Sequence, residues 1–358
     1  MRLSTLINQY EAEFFDTYKD RLLPSHRKAL KAMQQCRTEH SPLMKMHCDE
    51  CDHHTYVPHS CGHRNCPHCQ HHESQQWVER QLQKQVPGRY ALITFTLPKQ
   101  FRPLAWSHQR TLYSLMFRCI WETLQRFSQH DKQLKGTPGV IAVLHTNTRR
   151  LDYHPHIHVI MPMGAIDKKQ RLWRHKDSQY LFNHTALACV FRAKMLAGIK
   201  QEGLCLPKQH PEKWVVDCRT AGKGKQAITY LGRYLYRGVI QEKDILGVND
   251  GQVTFRYQDS QTKTQKTRTV SGAHFLWLLV QHVLPRRFRR TRNYGFLHPN
   301  SKQLLQLLHL ILRIRIPPIQ MYKTRPAMSC PCCGGDMKII RTLLPANPAL
   351  LQTQLEPT

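Results

Sequence analysis

Three histidines occupy alternate positions in the stretch LDYHPHIHVIMPMG: His154, His156 and His158. Side chains alternate across a β-strand, so these imidazoles share one face while Ile157 and Val159 point to the other. Imidazoles on a rigid strand can hold a divalent cation, because neither ligand has to be ordered when the ion arrives. The plain alternative is a solvated sheet face in a chain that has 23 histidines.

A second pattern follows in AITYLGRYLYRG. Tyr230 and Tyr234 are four residues apart and share a helical face, with Arg233 and Arg237 as a neighbouring basic stripe. A tyrosine hydroxyl can attack phosphorus when a metal or cation polarises the phosphate and a sugar hydroxyl leaves, giving a covalent phosphotyrosine. Burial in a core is the ordinary use of aromatics at this spacing.

Of 13 cysteines, Cys36, Cys48, Cys51, Cys61, Cys66 and Cys69 fall in one N-terminal window. Cys48-x2-Cys51 and Cys66-x2-Cys69 are two knuckles with the spacing of a structural four-thiolate zinc site. Cys61 and His63 lie between them and Cys36 upstream, which leaves ligand exchange or a second metal open. Cys330 and Cys333, in CPCCGG, form a further knuckle with no partner knuckle in the sequence; Cys332 or a distant histidine could complete it.

The balance of 53 Lys plus Arg against 24 Asp plus Glu gives a net charge of +29, which calls for a polyanionic partner, nucleic acid first. The run PRRFRRTRNYGF sets Arg286, Arg287, Arg289, Arg290 and Arg292 among Phe288 and Tyr294. Guanidinium groups suit phosphates and rings stack on unpaired bases, so single-stranded DNA is the expected ligand, against a merely solvated basic loop. The most apolar segment, residues 304 to 316, is too short to span a bilayer and carries three basic residues, so it reads as a core-facing helix rather than a membrane anchor. With acidic residues where a secretory signal would be apolar, the expected compartment is a reducing bacterial cytoplasm, on the nucleoid.

Several elements must position these residues. The pattern predicts an N-terminal helical stretch to about residue 35, the cysteine window, and a Gln-rich helix ending at Pro87-Gly88. Strand YALITFTLP, a long amphipathic helix, and strands GVIAVLHT and HIHVIMPM follow, the last two joined by a turn as an antiparallel hairpin. Then come helix HTALACVFRAKMLAGIKQ, strand KWVVDCR, the tyrosine helix, a β-hairpin over residues 252 to 270, a helix, the arginine run, a Leu-rich helix and a loose tail. The expected division is 1–87 (N-terminal helix and zinc module), 88–245 (catalytic domain with tyrosine helix), 246–325 (hairpin, helices and DNA-contacting segment) and 326–358 (Cys-containing tail).

Taken together, the motifs are recognisable. His156-Ile157-His158 resembles the histidine-hydrophobic-histidine (HUH) motif of single-strand endonucleases. ITYLGRYLYRG resembles the two-tyrosine helix of rolling-circle transposases, and SCGHRNCPHCQ is similar to the zinc segment of the insertion-sequence-ninety-one family. Their order covers most of the chain up to about residue 300. The resemblance implies an α+β, HUH-endonuclease-like antiparallel central sheet flanked by helices, behind an N-terminal cysteine-rich zinc-binding module. It implies that His156 and His158 hold Mg2+ or Mn2+ against a scissile phosphate of single-stranded element ends or target. Tyr230 or Tyr234 would attack it, leaving a 5′-phosphotyrosine and a free 3′-hydroxyl. For the third ligand His154 is favoured over Gln226 and Asp152, and Zn2+ is structural. A homo-oligomer is compatible with all of this.

Three rivals stand beside it. Plasmid replication initiators and relaxases share the cleavage step. Histidine-triad nucleotide hydrolases also alternate histidines before hydrophobic residues, but they leave the charge, the cysteines and the tyrosines unexplained. A non-catalytic zinc DNA-binding protein would make the histidine and tyrosine patterns accidental.

Overall fold

A computed structural model describes residues 2–69, 71–235, 239–259, 261–315 and 328–343, with the side chains of 71, 72 and 233–235 outside the description. Two compact units divide them: one takes its residues from 1–73, 236–283 and 320–358, the other from 74–235 and 284–319.

In chain order the first unit opens with α1 (Leu3–Tyr18), α2 (Pro24–Gln34), β1 (Leu43–Cys48) and β2 (His54–Pro58). Next come α3 (His71–Leu82), β3 (Arg89–Thr96), α4 (Arg102–Ser107), α5 (Gln109–His130), β4 (Thr137–Asn147) and β5 (Tyr153–Pro162). The second unit continues through β6 (Gly164–Asp167), β7 (Leu172–His175), α6 (His184–Gln201), β8 (Val216–Lys223) and α7 (Gly224–Leu235). The first unit resumes with β9 (Ile245–Asn249), β10 (Gln252–Gln258), β11 (Gln265–Ser271) and α8 (Gly272–Val280). β12 (Thr291–Gly295) and α9 (Lys302–Ile311) return to the second, and β13 (Met328–Ser329) and β14 (Asp336–Leu343) belong to the first.

The second unit is built on an antiparallel sheet in the order β7-β6-β4-β5-β3-β8, with β12 also paired to β4. Alternation sorts its two faces. Ala91, Ile93 and Phe95 of β3, Val140, Ala142 and Leu144 of β4, and Ile157, Val159 and Met161 of β5 are buried in one cluster with Leu112, Met116 and Phe117 of α5 and Phe191 and Met195 of α6. The intervening residues of the same strands, including His156 and His158, face the other way. GVIAVLHT and HIHVIMPM pair antiparallel as expected, with Ala142 opposite Val159.

Two expectations change. The arginine run is not a loop throughout, because residues 291–295 add a strand to β4, and Phe288 is buried against Tyr113 and Phe117 rather than offered to bases. Burying that ring removes more apolar surface from water than an exposed loop could, and the Arg292 guanidinium covers both Phe117 and Phe288. The Leu-rich helix ends at Ile311, before residue 316; Leu308 and His309 are buried but Leu310 is 76% exposed, so only one edge of it faces a core.

In the first unit α1 packs on α2 and α8. A Cβ at Gly272 would fall 2.2 Å from the Tyr10 ring, so α8 can start this close to α1 only with glycine there. The predicted hairpin over 252 to 270 is present and gains a third strand, in the order β11-β10-β9. A separate sheet, β13-β14-β1-β2, joins the cysteine window to residues 328–343. No helix among the described residues is long and apolar enough to cross a membrane. Residues 344–358, expected as a loose tail, lie outside the description.

Candidate active site and metal centres

The histidine row lies on the sheet face opposite the α5–α6 core. His156 stands opposite Thr96 on one side and His145 of β4 on the other, while His158 stands opposite Thr94 and Val143. Ring centroids are 4.9 Å apart for His156 and His158, 4.6 Å for His145 and His158, and 5.4 Å for His145 and His156. The third imidazole beside the pair is therefore His145, a residue that the sequence reading placed on a strand and gave no role. A regular count outward from the β4–β5 turn would set His145 opposite Pro155; a register shift between His145 and Asn147 brings it opposite His156 instead, which the sequence did not signal.

His154, the ligand favoured from sequence, is turned elsewhere. Its ring centroid is 5.2 Å from that of His156, but its Nδ1 accepts a hydrogen bond from Arg102 Nη2 at 2.6 Å. Asp152 is tied into the turn, with Thr148 Oγ1 donating to its Oδ2 at 3.3 Å. Gln226 is exposed on α7.

Burial holds the histidines neutral. Desolvation pushes His145 far below the usual imidazole range, helped by the charges of His158, His156 and Arg290. Desolvation brings His158 down to about 3, with His156 and Arg219 adding to the effect, and His154 to about 4. His156 is lowered as well, by burial. Its Nδ1–H donates to the His154 carbonyl at 2.7 Å, which leaves Nε2 with a free lone pair. His145 Nε2 and His158 Nδ1 are buried and make no hydrogen bond. Neutral imidazoles with orphaned nitrogens fit a divalent cation, since a buried polar atom without a partner is costly. The imidazole nitrogens do not all lie within 4.8 Å of one another as the cysteine ligands do, so sharing one ion requires the rings to turn.

An imidazole that stays neutral when folded but has an ordinary value near 6.5 when unfolded contributes stability that is full above that value. This contribution is lost as pH falls toward the folded value. In protein without added divalent metal, unfolding free energy is expected to decline from pH 6.5 to about 4, with His158 alone contributing roughly 1.4 kcal/mol per pH unit. Urea titrations at stepped pH check this, and a His158→Asn variant should flatten the slope.

The helix that carries Tyr230 packs on the histidine face. α7 lies against β8, β3 and β5, and a Cβ at its Gly224 would fall 2.6 Å from the Tyr90 ring, which lies on that face of β3. Ala227, Ile228 and Leu231 form its buried side, and Tyr230 is 38% exposed on the other. Close approach to α3 requires Gly232, where a Cβ would fall 2.1 Å from Val78 Cγ2. The remaining predicted residues of this helix, Arg233 and Tyr234, have side chains outside the description, as does all of Arg237. Two phenols on β5 and α5 are not rivals: Tyr113 and Tyr153 share a 2.5 Å hydrogen bond, and burial raises both.

The predicted arginines diverge. Arg290 lies beside His145, its carbonyl accepting from the Leu144 amide at 2.9 Å. Arg292 donates to Ser114 Oγ at 3.1 Å, and the Arg286 carbonyl accepts from Arg110 at 2.6 Å. Arg287 and Arg289 are exposed on a groove. Arg219, overlooked in the sequence, lies close enough to His158 to lower it.

The cysteines form two sites in the first unit, not one across the two knuckles. Cys66 and Cys69 gather with Cys36 and Cys61, and Cys48 and Cys51 gather with Cys330 and Cys333. The Sγ separations are 3.4 Å for Cys36–Cys69 and Cys48–Cys333, and 3.6 Å for Cys61–Cys69, Cys36–Cys66 and Cys51–Cys330. Sulfurs at about 2.3 Å from a tetrahedral zinc would be about 3.8 Å apart, so both sets fit the ion closely and neither is a disulfide. The Cys61 and His63 amides donate to Cys36 and Cys61 sulfurs, the hydrogen bonding that thiolates want. Thiol donors from Cys61 and Cys66 bring Cys36 down to about 7. The regrouping has a plain cause: β1 carries Cys48 and pairs with β14, which brings the CPCCGG turn over the first knuckle. Cys332 stays exposed, and its amide donates to Cys330 Sγ at 3.4 Å.

Comparison with known proteins supplies the class. Residues 6–97 match a family described as "Transposase zinc-binding domain", and residues 139–304 match one described as "Putative transposase". A "Putative transposase y4qJ" of Sinorhizobium fredii (strain NBRC 101917 / NGR234) is 29% identical over 77% of this chain and 75% of its own length. The "Transposase for insertion sequence element IS801" of Pseudomonas savastanoi pv. phaseolicola is 29% identical over 69% of this chain and 63% of its own. A conjugative relaxase TrwC in complex with oriT DNA superposes over 63% of this chain and 73% of that one, at 13% identity and a TM-score of 0.26, too loosely to bear on the site. The protein is a DNA transposase, a nucleic-acid-cleaving enzyme with a zinc-binding N-terminal domain. The two matched segments together resemble the transposases of the IS91 family.

Proposed function

We propose that this transposase cuts and rejoins single strands of DNA through a tyrosine, with Tyr230 and Tyr234 as the nucleophiles. The observation that carries the reading is that α7, with Tyr230 on its exposed side, packs on the sheet face where His145, His156 and His158 meet. These three imidazoles would hold Mg2+ or Mn2+, in place of the set with His154, and the bound ion would supply polarisation of the scissile phosphate.

The chain's own groups do the rest. A phenol keeps its proton at neutral pH, so attack needs a phosphate whose charge is already countered. Arg219 and Arg290, at two points along the row, can take the non-bridging oxygens. The tyrosine oxygen bonds to phosphorus as the bond to the 3′-oxygen breaks. The phenolic proton passes to solvent, and the released 3′-oxygen is protonated. The strand is left as a 5′-phosphotyrosine whose bond energy serves the later rejoining, so no nucleotide triphosphate is consumed. A second tyrosine lets one strand stay attached while another is cut.

Arg233, Arg237, Arg286, Arg287, Arg289, Arg290 and Arg292 are assigned to DNA contact, with residues 88–245 joined by β12 as the catalytic domain and 1–87 joined by 328–343 as the zinc module. The protein would act on the bacterial nucleoid. The transposase matches over both segments remove support from the histidine-triad and non-catalytic readings.

The test is a covalent adduct. Incubated with single-stranded element ends and Mn2+, the protein is expected to give a band on a denaturing gel that resists boiling and disappears without divalent metal. Tyr230→Phe should cut its yield at least about 100-fold if Tyr230 acts first. Replacing both tyrosines should abolish it. Full adduct formation by the double variant would end the proposal.

A further inference from the structure

The second unit carries a groove of about 890 Å³ lined by α3, α5 and the segment that contains β12. Six cations face it: Arg80 and Lys84 from α3, Arg110 from α5, and Arg287, Arg289 and Arg292 from the chain leading into and along β12. No acidic side chain is among its described lining residues. Burial together with the like charges of Arg80 and Lys302 pulls Lys84 below the usual lysine range, a sign that this charge is not compensated within the protein. Such crowding is tolerated where a polyanion neutralises it.

The lining also says how that polyanion is read. Trp77 and Phe288 are buried, and Tyr294 is stacked on Trp121 with centroids 5.3 Å apart and planes 9° apart. These three aromatic rings are turned inward, while Arg80, Arg110, Arg287, Arg289 and His298 are exposed. β12 pairs with β4 up to Val143, and Arg290, just before it, lies beside His145. One end of the groove's wall thus adjoins the histidine row.

We infer that this groove is a sequence-independent track for the phosphates of one DNA strand, feeding the strand to the histidine face. The inference rests on the DNA-cleaving reading above and adds Arg80, Lys84 and Arg110 to its DNA contacts. Bases along the track would point outward, and recognition of particular ends would be done elsewhere.

The test is the salt dependence of binding, measured by fluorescence anisotropy on the full chain with unstructured single-stranded oligonucleotides of three sequences and one length. Divalent metal is left out, so that only the non-covalent equilibrium is read. For single strands, log affinity falls with log salt by about 0.7 for each phosphate neutralised. Arg80→Ala/Arg287→Ala/Arg289→Ala should flatten that slope by about 2. Between 50 and 200 mM salt the loss of affinity would then shrink by roughly 20-fold, equally on all three sequences. The triple lysine variant should keep the wild-type slope, which separates lost charge from lost fold. An unchanged slope in the alanine variant overturns the track, and losses that differ among the sequences overturn its sequence independence. Adduct formation by the wild-type protein tests the cleavage reading separately.

Discussion

Replacing His145 with alanine is expected to lower metal-dependent adduct formation by at least about 100-fold, as much as His156→Ala or His158→Ala. Loss of a group that only orients a metal ligand typically costs 10- to 100-fold, so removing a ligand itself should meet or exceed the upper figure. His145 qualifies on position and protonation: it stands opposite His156, it is held neutral by burial, and its Nε2 has no hydrogen-bond partner. His154→Ala should have a smaller effect, because its Nδ1 is occupied by Arg102. The measurement is adduct yield across a Mn2+ titration. The deficit of His145→Ala should narrow as metal rises, which a general loss of fold would not do. A severe His154 defect beside a mild His145 one would return the third-ligand role to His154.

The second large effect is expected in the first unit. Cys330→Ser or Cys333→Ser should lower bound zinc from about two ions per chain to about one, measured by elemental analysis of the purified protein. It should also destabilise the β13-β14-β1-β2 sheet by more than about 4 kcal/mol. Structural zinc in small modules contributes on the order of 10 kcal/mol to folding, and loss of a metal is among the few changes that large. The little apolar core of this sheet explains the dependence: Met46, Cys48, Cys330 and Met337 are its buried cluster, so two of its four members belong to the four-thiol group proposed to hold zinc. Cys332→Ser, with an exposed side chain, is the control and should keep both ions. Retention of two ions by Cys330→Ser would show that the two knuckles do not share a site.

Much of the site was legible because its signals are local. His154, His156 and His158 announce a strand by alternation, and β5 is that strand. Tyr230 announces a helix by its setting among Ala227, Ile228 and Leu231, and α7 is that helix, with those three residues as its buried side. Phe288 misled for a related reason: beside five arginines it reads as a base-stacking ring. Its burial is decided by Tyr113 and Phe117 of α5, which nothing near it in sequence reveals. The cysteines misled by proximity. Two knuckles in one window suggest one ion, yet each draws its remaining ligands from outside the pair, in one case from the far end of the described chain.

By itself, then, the sequence determined the residue types capable of the chemistry, the elements that carry them and the polyanionic partner. These follow from strand alternation, helical period, knuckle spacing and net charge, which operate over a few residues or over none in particular. The tertiary structure alone decided which groups meet: His145 beside His156 and His158, Cys48 and Cys51 with Cys330 and Cys333, and Arg80 and Arg110 around one groove with Arg287 and Arg289. Those meetings are set by cross-strand register and by the burial of apolar faces between segments distant in the chain, and no spacing rule within one segment encodes either.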